Sequence, residues 1–73
     1  MANDDDQNLH QQILEVLLEK VEQDPFPSVT MLNMIEEILQ PEDVPRYAAL
    51  LLDKIRADEF PSLDMLKRAQ ALA

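Results

Sequence analysis

Leu17-Leu18-Glu19-Lys20-Val21-Glu22-Gln23-Asp24-Pro25-Phe26-Pro27-Ser28-Val29-Thr30-Met31-Leu32 returns thirty-four residues later as Leu51-Leu52-Asp53-Lys54-Ile55-Arg56-Ala57-Asp58-Glu59-Phe60-Pro61-Ser62-Leu63-Asp64-Met65-Leu66. Nine of the sixteen positions are identical, and Glu19/Asp53, Val21/Ile55 and Val29/Leu63 are conservative changes. Both copies join an apolar run to a second apolar run through Phe-Pro-Ser. Proline lacks an N–H and disfavours helical geometry in the residue before it, so the first run ends by about Gln23. Serine can accept from the free N–H groups of a following turn, which makes Ser28 and Ser62 N-caps. The pattern predicts helix, Phe-Pro-Ser corner, helix, used twice.

Outward from that segment, Leu9, Ile13, Leu14, Val16, Leu17, Leu18 and Val21 recur at helical spacing and read as one broad face. Val29, Leu32, Ile35, Ile38 and Leu39 predict a second helix, widened by Met31 and Met34 and ended by Pro41. Asp43 is a candidate cap and Pro45 a first-turn residue of a third helix carrying Val44, Tyr47, Ala48, Leu51, Leu52 and Ile55. A fourth follows Ser62 through Leu63, Leu66, Ala69 and Leu72, with Asp64 at the positive end of its dipole. No stretch alternates with period two, and without any glycine a tight hairpin turn has no favoured residue. The expected fold is all-α, a compact four-helix domain of two repeated helical hairpins related by a pseudo-twofold axis. Residues 1–7 are expected as a disordered acidic tail, and 8–73 as one domain with hairpins over about 8–39 and 43–73. Phe26 and Phe60 are expected to anchor their corners in the core.

A period of thirty-four invites comparison with tetratricopeptide repeats. Those need glycine and small alanines where helices cross closely, and this chain fills its helices with Leu and Ile. Two copies are also fewer than a stacked solenoid normally requires. Phe26-Pro27-Ser28, Val44 to Leu52 and Asp58-Glu59-Phe60 follow another order over about forty residues. It resembles that of a family of short bacterial helical domains of unknown function. Their pattern is a Phe-Pro-Ala/Ser corner, a Val-x-x-x-Leu helix and an Asp-x-x-Tyr/Phe corner before a last helix. The corner-to-corner spacing here is slightly longer, Phe60 follows Asp58 by two residues rather than three, and Gln40-Pro41-Glu42 stands where that family tends to have a glycine-containing turn. The resemblance implies a fold and no activity.

Fifteen acidic residues against six basic ones leave a formal charge of −9 in 73 residues. Direct binding to nucleic acid or an anionic membrane requires a basic footprint, so both are disfavoured. The acid is unevenly placed. Residues 1–39 hold nine acidic side chains and Lys20, a net of −8; residues 40–73 hold six against five basic ones, a net of −1.

Chemistry-bearing constellations are thin. With no cysteine there is no thiol nucleophile, thiolate metal site or disulfide. His10 is the one histidine, and a metal or catalytic role needs converging partners. Asp4-Asp5-Asp6 lacks the glycine and terminal glutamate of an EF-hand loop, and phosphate-binding loops need glycine. Ser28 and Ser62 are accounted for as caps. We therefore expect no enzyme, no catalytic residue, no cofactor and no metal. Nor does any apolar run reach the roughly 20 residues that span a bilayer, and a cytoplasmic location is expected. The expected role is a non-enzymatic protein–protein interaction module. Its acidic helix face would use Glu15, Glu19, Glu22, Glu36 and Glu37, with Met34 as an apolar contact, and would bind a basic protein partner. The alternative is a DNA mimic that occupies the basic cleft of a nucleic-acid-binding protein. Homodimerisation through spare Leu and Met positions, such as Leu18 and Leu50, is a third possibility.

Overall fold

A computed structural model describes the backbone of residues 2–73 and the side chains of residues 9–73. Among these residues the chain is all-helical, without strands: α1 is Ala2–Gln23, α2 Val29–Ile38, α3 Val44–Ala57 and α4 Leu63–Leu72. A single 3-10 turn, Pro41–Asp43, precedes α3. α1 starts at Ala2, upstream of the expected boundary near residue 8, and Met1 of the stretch expected as a tail lies outside the described residues. Once nucleated, a helix gains a hydrogen bond for each residue added, and neither proline nor glycine interrupts the chain before Pro25.

The two corners are built alike. The Asp24 N–H donates to the carbonyls of Lys20 (3.0 Å) and Val21 (3.2 Å); the Asp58 N–H donates to those of Lys54 (3.2 Å) and Ile55 (3.4 Å). Each aspartate then turns its side chain forward. Asp24 Oδ1 accepts from the Phe26 N–H at 2.9 Å, and Asp58 Oδ1 accepts from the Phe60 N–H at 3.0 Å. This Asx geometry holds the backbone where proline forbids helix. The next helix is started by serine: Ser28 Oγ accepts from the Met31 N–H at 3.1 Å and Ser62 Oγ from the Met65 N–H at 3.2 Å. Both caps stand where the spacing predicts them.

The phenylalanines do not. Phe26 is 74% exposed and Phe60 83%, so neither anchors its corner on a core. Pro27 occupies the buried position instead, with Pro61 half-buried at the matching place. With the aspartate bond fixing the Phe N–H, the corner needs no ring for its shape, and the ring is left facing water. The expected capping bond of Asp43 is also missing. Asp43 has helical angles (φ −94°, ψ −10°), makes no cap hydrogen bond, and has a buried Oδ2 without a partner. The Val44 N–H donates to the Pro41 carbonyl and Pro45 has no N–H to satisfy.

The chain divides into two compact units, Met1–Leu39 and Gln40–Ala73. In the first, α1 packs on α2; in the second, α3 packs on α4 and on the 3-10 turn. The first unit buries Leu14, Leu18 and Val21 from α1 against Leu32 and Ile35 from α2. In the second, Tyr47, Leu50 and Leu51 of α3 are buried, while α4 contributes no fully buried residue. The thirty-four-residue offset shows why α4 is shallower. Leu14 and Ile35 correspond to Ala48 and Ala69, two large apolar side chains replaced by methyl groups.

Candidate functional site

Residues advance about 100° each around an α-helix, so Glu15, Glu19 and Glu22 form a ridge roughly 100° from the Leu14–Leu18–Val21 face. Glu19 and Glu22 are exposed and Glu15 is half-buried. The same register sends Leu9, Ile13 and Val16 about 140° the other way round α1, roughly a third of a turn from the glutamate ridge. These three are exposed, Leu9 by 54% and Val16 by 51%, and Leu17 beside them is half-buried. Together with Gln12 they line an open, almost wholly apolar depression along α1.

This splits the broad apolar face read from the sequence into a buried stripe and an outward one. The inner surface of α2 explains the split, because Leu32 and Ile35 cover one side of α1 only. The outward stripe was visible as an excess of apolar positions, seven between Leu9 and Val21, spread over too wide an arc for one neighbour. Leu18 and Leu50 are the positions whose excess is expected either to fill a compact core or to mark a self-association face. Both are buried, Leu18 fully and Leu50 at 9% exposure.

On α2, Met34, Glu36 and Glu37 are all exposed. Met34 and Glu37, three apart, are neighbours on its outward side. Glu36 lies roughly 160° round the helix from Met34, so these three do not share one face. Met31 and Met65, repeat-equivalent, are both half-buried. The fold therefore keeps the glutamates of α1 in one ridge and spreads those of α2 over two sides.

The second unit offers different chemistry. Arg68 Nε donates to Asp64 Oδ2 at 2.7 Å across one turn of α4. Phe60, Leu63 and Leu66 are exposed near the start of that helix, and Lys67 and Arg56 are exposed cations. Hydroxyl chemistry is largely committed to structure: Ser28 and Ser62 hold their caps, and Tyr47 is buried. His10 is exposed. Among the described residues no group of three His, Cys, Asp or Glu side chains is placed to hold a metal ion, and no helix is long and apolar enough to cross a membrane. No protein-family model matches the chain, and no curated protein or solved structure is similar enough to match it.

Proposed function

We propose that this chain is a small acidic, non-enzymatic protein–protein interaction module of the bacterial cytoplasm that binds a basic partner through helix-borne glutamates. The observation that carries the reading is the charge asymmetry: a net of −8 over residues 1–39 against −1 over residues 40–73. Glu15, Glu19 and Glu22 form the centre of the binding surface, with Met34 and Glu37 contributing from one side of α2. A ridge of like charge raises the local concentration of a cationic partner and speeds its encounter, an effect that salt screens over about 8–10 Å. The pseudo-twofold pairing of the hairpins belongs to the same reading, supported by the sixteen-residue match and by the equal hydrogen bonds of the corners.

Affinity capture at low and high salt tests it, with wild-type protein beside the double variant Glu15→Lys, Glu19→Lys. The expected result is a partner retained at low salt, released at high salt and lost by the variant. A partner set unchanged by both manipulations would contradict the proposal.

A further inference from the structure

We draw no further inference here: the strongest candidate, the outward Leu9–Ile13–Val16 stripe of α1, is an unpartnered apolar face set about a third of a turn from the glutamate ridge, and nothing in the structure shows what covers it.

Discussion

The hairpins α1–α2 and α3–α4 turn their corners with the same four residues in the same roles, yet bury different sides of their first helices. At the corner every group acts locally. An aspartate accepts from an N–H two residues on, a proline blocks continuation and a serine accepts three residues on, so nine identities in sixteen suffice to reproduce the hydrogen bonds. Which face is covered depends instead on side-chain volume outside the matched segment. Leu14 and Ile35 fill the first hairpin; Ala48 and Ala69 stand in their places in the second, where Tyr47 takes the buried position that exposed Ile13 holds in α1. A duplicated turn does not make a duplicated core.

The comparison breaks most visibly if matched core substitutions have equal effects. Leu18 is fully buried and its counterpart Leu52 is 41% exposed. Leu18→Ala is expected to cost about 2–5 kcal/mol, lost transfer energy plus a cavity, and Leu52→Ala less than about 1 kcal/mol. Urea midpoints at constant m-value measure both. In a chain this short the first substitution threatens folding altogether.

At the caps the hairpins should instead agree. Ser28→Ala and Ser62→Ala are each expected to cost about 1 kcal/mol, the usual value of a serine N-cap, and equal shifts in thermal midpoint would show that the corners are energetically matched. Phe26→Ala and Phe60→Ala should fall near the ±0.5 kcal/mol typical of surface substitutions, far from the roughly 3–5 kcal/mol of a buried phenylalanine. A loss of that larger size would place the rings in a core after all. Smallest is Arg68→Ala in the second hairpin alone, with its exposed aspartate partner across one helical turn, at about 0.3–0.5 kcal/mol and diminished by added salt.

Helix type, number and the sites of both serine caps were legible because proline, serine and 3.6-residue periodicity act through neighbours in sequence. The orientation of Phe26 and Phe60 was not. An aromatic residue between two helices satisfies the pattern of an anchor, and only the forward reach of Asp24 and Asp58 shows that the corner closes without it. The acidic ridge on α1 was readable from the spacing of Glu15, Glu19 and Glu22. The outward apolar stripe of α1 was not separable from the core stripe, since periodicity counts apolar positions and cannot say which of two arcs a neighbouring helix will cover. Glu36 was likewise grouped with Met34 on proximity in sequence, although their register places them on different sides of α2.

The central claim is that α1 presents outward the positions that α3 buries. The chain has no cysteine, so Val16→Cys and its repeat-equivalent Leu50→Cys each introduce a single thiol whose labelling rate reads exposure directly. In native buffer Val16→Cys should react at the rate of a free thiol, and Leu50→Cys roughly 100-fold or more slowly, because it must await an opening of the fold; in urea the two rates should converge. Equal native rates, or protection at Val16→Cys, would contradict the account.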